Sequence, residues 1–208
     1  MRHRRKGRKL GRNPKHQRAL LRALASGLFL TERDAEYDEN KPKVKGRIVT
    51  TISKAKEVRP LVEKCVTIAC RGLAAEKAAE EFASTAERGT EGWNSWRKSK
   101  RWGEWNQAVA PAVAARRRCL TLLGNKQAVS VLFAEVAPRF LDRPGGYTRI
   151  LRLAKPRLGD AGTRAVLEFV GVRDRVAERS VRPTFDDQAT PPAKSKRKSG
   201  SKEPVAAE

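Results

Sequence analysis

GRIVTTISKAKEVRPLVEKCVTIACRG, residues 46–72, changes its periodicity partway along. GRIVTTI, 46–52, is rich in β-branched residues and reads as a strand. In the SKAKEVRPLVEKCVTIACRG that follows, Val58, Leu61, Val62, Cys65, Ile68 and Ala69 recur at helical spacing, so one face is apolar. Gly72 reads as the C-cap. Pro60 conflicts with an uninterrupted helix: it either kinks the helix or marks its true start after a preliminary turn. A strand is thus expected to feed directly into a long helix.

Toward the N-terminus, residues 1–22, MRHRRKGRKLGRNPKHQRALLR, are rich in Lys and Arg and contain no acid. The first dozen residues lack apolar periodicity and are broken by Gly7 and Gly11, so in water this arm is expected to be disordered. Asn13 is a suitable N-cap and Pro14 fits the first helical position. Leu20, Leu24 and Leu28, with Leu21 alongside, then form a stripe, and Arg18 and Arg22 carry basic charge onto one face of the same helix. Residues 31–45 are polar and read as a loop or insertion.

Toward the C-terminus, residues 73–111 shift to an Ala/Glu-rich composition and then to GWNSWRKSKRWGEW, 92–105, which holds all four tryptophans. Regular structure is expected to resume at about Ala112. AVAARRRCLTLLG and NKQAVSVLFAEVAPRF are two helical patterns, the second with Ala128, Val131, Leu132 and Val136 on one face and Pro138 at its end. Tyr147, Ile150 and Leu151, then Val166, Leu167, Phe169 and Val170, have the composition of a β-hairpin, with Pro156, Gly159-Asp160 and Gly162 as turn residues. From about residue 176 the chain loses periodicity, and the basic PPAKSKRKSGSKEP segment is expected to be disordered. No internal repeat is visible. The organisation expected is a basic arm over 1–13, a globular domain over 14–175 with insertions at 31–45 and 74–111, and a tail over 176–208.

The 208 residues carry a net charge of +23, with a pI near 10.8. Such an excess repels itself and calls for a polyanionic partner, nucleic acid first and an anionic membrane surface second. No apolar run is long enough to span a bilayer, and no h-region follows the basic start, although that start has something of an organelle transit peptide. The three cysteines include no CxxC pair and read as reduced, mostly buried thiols of a cytosolic protein. Both histidines, His3 and His16, lie in the basic arm with no carboxylate nearby to orient them. HExxH, GxSxG and Walker patterns are missing. The expectation is therefore no enzyme, no metal, no cofactor and no small-molecule substrate.

Three constellations suit a polyanion. Arg2, His3, Arg4, Arg5, Arg8 and Arg12, continued by Asn13, His16, Arg18 and Arg22, can pair with phosphates, and the arm's glycines let the backbone approach closely. In PRFLDRPGGYTRIL, Arg139, Arg143 and Arg149 surround Gly145 and Gly146. There Tyr147 either stacks on a base or fills the core, and Thr148 could meet a 2′-hydroxyl. In VTTISKAK, Thr50, Thr51 and Ser53 can cap the helix. Lys54 and Lys56 sit where the helix dipole disfavours cations, which fits either an external anion or a simple capped helix with solvated lysines.

These residues carry a resemblance. MRHRRKGRKLGRNPKHQRALLRALASGL, IVTTISKAKEVRPLVEKCVTIA, NKQAVSVLFAEVAPRF, RPGGYTRIL and RLGDAG before AVLEFV occur in this order, and together they resemble the bacterial large-subunit ribosomal protein seventeen family, which has mitochondrial relatives. The match starts at Met1, which removes most of the case for a transit peptide. The resemblance implies a compact α+β domain, with helices packed on a small, mostly antiparallel three-stranded sheet. It also implies a structural role in the cytoplasmic ribosome: binding 23S rRNA near the exit side of the polypeptide tunnel, beside neighbouring large-subunit proteins. Family-type rRNA contacts would fall on the arm, on Thr50, Thr51, Lys54 and Lys56, and around Gly145–Arg149. A nucleoid or RNA-processing protein is the alternative, but no helix-turn-helix and no acid/base set supports it.

The tryptophan segment lies outside the blocks that carry the resemblance. On one continuous helix, Trp93 and Trp96 would share a side and Trp102 and Trp105 would lie opposite, while Gly92 and Gly103 argue against a single helix. Two short turns folded on each other, with indoles inside and Arg97, Lys98, Lys100 and Arg101 outside, fit better. Packing within this protein or onto a neighbour, and direct stacking on rRNA, both remain open.

Overall fold

The computed structural model describes residues 7–36 and 38–171. The expectations for Arg2, His3, Arg4 and Arg5 and for a disordered tail beyond 176 lie outside the described residues.

Pro14–Leu30 forms α1, capped by the Asn13 side chain, which accepts from the Lys15 N–H at 2.8 Å. Thr31 ends α1, and its hydroxyl accepts from the Gly46 N–H at 3.1 Å, closing the polar loop between. β1, Arg47–Thr51, then runs without a linker into α2, Ile52–Glu80. The Ile52 N–H donates to the Thr163 carbonyl, so α2 starts tied to the sheet. Thr51 is the N-cap by position, but its side chain makes no capping hydrogen bond.

Gly72 is not the C-cap: α2 continues for two more turns. A Cβ at Gly72 would lie 2.9 Å from the Ala115 Cβ and 3.1 Å from the Phe133 ring. The glycine is there because another helix crosses closely, not because α2 stops. Pro60 also lies inside α2, on an exposed position, and removes only the hydrogen bond that the Lys56 carbonyl would have accepted.

The crossing helix is α4, Lys100–Leu123, preceded by the short α3, Glu91–Lys98. Regular structure thus resumes well before Ala112. The Ala/Glu-rich stretch prolongs α2, the tryptophan segment supplies α3 and the start of α4, and only residues 81–90 and Ser99 are irregular. Cys65 and Gly72 on α2, and Glu81 just past its end, meet Cys119, Ala115 and Arg101 on α4, so the pair is antiparallel. The Cys119 thiol, and then burial, push the Cys65 thiol up, which keeps it a neutral packing group. α4 ends at Gly124, whose left-handed φ of 73° closes a C-cap from its N–H to the Leu120 carbonyl.

NKQAVSVLFAEVAPRF is one helical excursion of changing pitch. α5, Lys126–Val131, is capped by Asn125, then widens to a π-turn over Leu132–Val136 and tightens to a 3₁₀ turn over Ala137–Phe140. The widened turn rotates the apolar face. Val129 and Phe133 are buried with Ala128, Leu132 and Val136, whereas Val131 is only half-buried.

β2, Thr148–Arg152, and β3, Arg164–Phe169, complete an antiparallel sheet of order β1-β3-β2. In the β2–β3 connection Arg157 pairs with Asp160. That bond, and then the Gly162 N–H, hold the Asp160 carboxyl well below the usual carboxylate range. One face of the sheet presents Ala165 and Leu167 to Leu28, Phe29, Val58, Val62, Leu132 and Val136, the centre of the core. Phe29, Phe140, Tyr147 and Phe169 form a ring cluster at its edge, with centroids 5.2–6.2 Å apart. Five α-helices packed on a small three-stranded sheet agree with the fold class expected from the sequence.

Candidate nucleic-acid interface

The first turns of α2 and the adjoining edge of β2 line a groove of about 520 Å³, formed by Ile52, Lys56, Arg59, Thr148, Arg149, Ile150 and Arg152. α2 has no acid in its first turn, so the dipole's positive end and two basic side chains face the same opening. The arm reaches the adjoining side of the same helix: Arg8 pairs with Glu57 of α2 at 3.5 Å. Segments about 50 and 140 residues apart from the arm in sequence thus converge on the N-terminal third of one helix.

Within the groove the charges are ordered. Glu63 accepts from Arg59 at 3.0 Å and from the Thr148 hydroxyl at 3.0 Å, which orients the guanidinium across the opening. Thr148 is 2% exposed, and its hydroxyl points inward rather than to a 2′-hydroxyl. Of the two readings of Tyr147 the structure takes the core one: the ring is 3% exposed and packs against Phe140. Gly146, at φ 65°, turns the chain just before these two residues enter the core. Gly145 accepts from Arg143 at 3.1 Å, so that arginine braces the turn.

Arg149 borders a second opening of about 240 Å³, lined also by Glu32, Lys45, Arg47, Arg139 and Glu168. Glu168, on the central strand, is 3% exposed and stands in register between Arg47 and Arg149. It pairs with them at 2.7 Å and 2.5 Å. Arg139 pairs with Glu32 at 2.8 Å. These arginines keep a cationic rim while being fixed in place by buried or half-buried carboxylates.

On α1, His16 and Arg18 are exposed beside the arm, as are Arg12 and Asn13. Arg22 instead donates to the Thr121 carbonyl at 3.0 Å and ties α1 to α4. Lys54 and Thr50 are half-exposed near the start of α2. Sequence reading missed Arg59, Arg152, Lys45 and Arg47. Arg59 lies one turn beyond Lys56 and carried a usable signal, whereas Arg47 and Arg152 become visible only once the strand register is known.

Among the described residues no cluster of His, Cys, Asp or Glu could hold a metal, and no helix is long and apolar enough to cross a membrane. A basic groove, an attached arm and a rim of braced arginines make a surface of the class suited to a polyanion. The comparisons with known proteins agree. The family model described as ribosomal protein L17 matches residues 43–170. Three relatives are each named large ribosomal subunit protein bL17. That of Rhodopirellula baltica is 61% identical over 91% of this chain and 90% of its own length. That of Nitratidesulfovibrio vulgaris is 33% identical over 81% and 87%, and that of Lactobacillus helveticus is 37% identical over 78% and 98%. The chain belongs to the ribosomal protein L17 family, a family of structural ribosomal components rather than enzymes.

Proposed function

We propose that this chain is a structural constituent of the large ribosomal subunit that binds 23S rRNA, in the cytoplasm, near the exit side of the polypeptide tunnel and beside other large-subunit proteins. The observation that carries the reading is the meeting of Arg8, Lys56, Arg59, Arg149 and Arg152 around the start of α2. The basic arm, residues 1–13 with the adjoining face of α1, threads between RNA helices and neutralises phosphates that otherwise repel each other. Arg2, His3, Arg4, Arg5, Arg8, Arg12, Asn13, His16 and Arg18 act in this way. The groove holds a second length of backbone through Lys54, Lys56, Arg59 and Arg152, with Thr50 and Thr51 at its edge. Arg139, Arg143 and Arg149 give the rim around Gly145 and Gly146 its charge, while Tyr147 and Thr148 shape it from within.

Each neutralised phosphate releases counterions, so binding weakens with salt by roughly 0.7–0.9 log units per contact for each decade of concentration. The test is binding of the full chain to 23S rRNA across a salt series, alongside co-sedimentation with salt-washed large subunits. The chain is expected to stay with the subunits. Lys56→Ala/Arg59→Ala/Arg152→Ala should flatten the salt slope by about two units. Release of the chain from washed subunits, or an unchanged slope in the triple variant, overturns the reading.

A further inference from the structure

The far end of the α2/α4 pair lies about 40 Å along α2 from the groove, given its 29 residues. No phosphate held at one end is within reach of the other. This end carries every tryptophan of the chain. Two of them have structural work. The Trp96 indole N–H donates to the Phe82 carbonyl at 3.2 Å, and its ring meets Trp105 edge-on at 5.6 Å. This contact folds α3 back on α4 across Ser99. α3 has no buried residue of its own, so the Trp96–Trp105 pair and the Thr90 cap, which accepts from the Trp93 N–H at 3.3 Å, are what hold it.

Trp93 and Trp102 are different. All four indoles are half-exposed, but these two take no part in the Trp96–Trp105 contact, and neither indole N–H donates within the described residues. Arg97 lays its guanidinium 5.1 Å from the centre of the Trp93 ring, so one indole face already carries a flat cation. Around the α3–α4 junction run Arg97, Lys98, Lys100 and Arg101, while Glu91 and Glu104 are the acids of the same segment. Arg101 is anchored by its bond to the Glu81 carbonyl at 3.2 Å, which fixes this basic run relative to the end of α2.

We infer that this tip is a second RNA-docking element, in which Trp93 and Trp102 stack on unpaired bases while the basic run 97–101 holds the adjoining phosphates. The inference rests on the rRNA-binding reading and extends it to a separate site and a different kind of RNA. The cations select RNA over a protein partner, because protein interfaces are depleted in lysine and Lys98 and Lys100 sit in the middle of this one. The indoles select unpaired bases over duplex, because a base offers its face only outside a helix. The stalk that presents them is stiff: Gly72 lets α2 and α4 approach closely, and Arg116 bridges to Glu76 at 3.2 Å while lying over the Phe133 ring.

The location of all four indoles makes the test direct, since selectively excited tryptophan fluorescence of the full chain reports on this tip alone. Titration with a short oligo(A) RNA is expected to quench it, whereas an RNA duplex of equal length should bind through the arm and groove and leave it unchanged. Trp93→Ala and Trp102→Ala should each weaken oligo(A) binding roughly tenfold, with Trp93→Phe retaining most of it and thermal unfolding unchanged. In reconstituted large subunits, the double variant should occupy the particle normally but lose chemical protection of one cluster of unpaired bases. Oligo(A) binding without quenching, or unaltered protection in the double variant with cross-links from the tip to an acidic protein, overturns the inference. In that case intact duplex and 23S rRNA binding would show that the arm-and-groove reading survives by itself.

Discussion

The two ends of α2 solve opposite problems. At its start three of the cations are bridged to acids: Arg8 to Glu57, Arg59 to Glu63, and Arg149 to Glu168 on the neighbouring strand. These three are aimed before any partner arrives. At the far end only one basic side chain of the 97–101 run, Arg101, bonds the end of α2, and all four indoles stand half-exposed, two of them outside the Trp96–Trp105 pair. Fixed carboxylates hold charge in place at one end, and a ring pair holds shape at the other. One helix thus carries two surfaces whose chemistry is separable.

That separation can be broken from the middle. Gly72→Leu forces side-chain atoms into Ala115 and Phe133, and should cost about 3 kcal/mol. Urea unfolding measures the loss, and the tip should loosen while the salt slope of rRNA binding stays near that of the parent. Next in size is Glu168→Ala, which leaves Arg47 and Arg149 facing each other across the central strand. Both arginines are about one-third exposed, so solvent screening reduces the penalty from that of a fully buried pair to about 2 kcal/mol. A smaller effect is expected from Thr90→Ala. It removes the cap of α3 at a cost of about 1 kcal/mol, local to the tip, and is read as faster amide exchange over 91–98 with the sheet unaffected. The smallest change in stability, under about 0.5 kcal/mol each, should come from Lys56→Ala and Arg152→Ala, which are exposed. For these the effect belongs in RNA affinity, so a large fall in melting temperature would place them in the scaffold instead of the interface.

The strand-to-helix junction at 46–72 was legible because its signals are local: β-branching up to Ile52, a helical stripe from Val58, and Asn13 with Pro14 to start α1. What misled was punctuation. Gly72 reads as a stop, yet α2 passes through it because α4 needs the space a side chain would fill. Gly103 and Pro111 likewise lie within α4, where packing along α2 outweighs their local cost. The π-turn at Leu132–Val136 shifts the buried face from Val131 to Phe133, a change that no fixed helical period anticipates. At the candidate interface the residue types were readable but their engagements were not. Arg149 looks like any basic residue after a Gly-Gly turn until the register sets it opposite Glu168. Arg22 looks like a phosphate ligand until α4 presents the Thr121 carbonyl.

The strand order has a consequence for how the molecule is assembled in time. β1 and β2 both hydrogen-bond to β3 and not to each other, and β3 is the last of the three to be synthesised. β1 must therefore wait for roughly a hundred residues of chain before it can acquire a partner, whereas α2 and α4 can pair much sooner. Glu168 arrives with β3, so the arginines on either side remain uncompensated until the sheet closes. Folding thus ends at the strand that both completes the hydrogen-bond ladder and neutralises the charge within it.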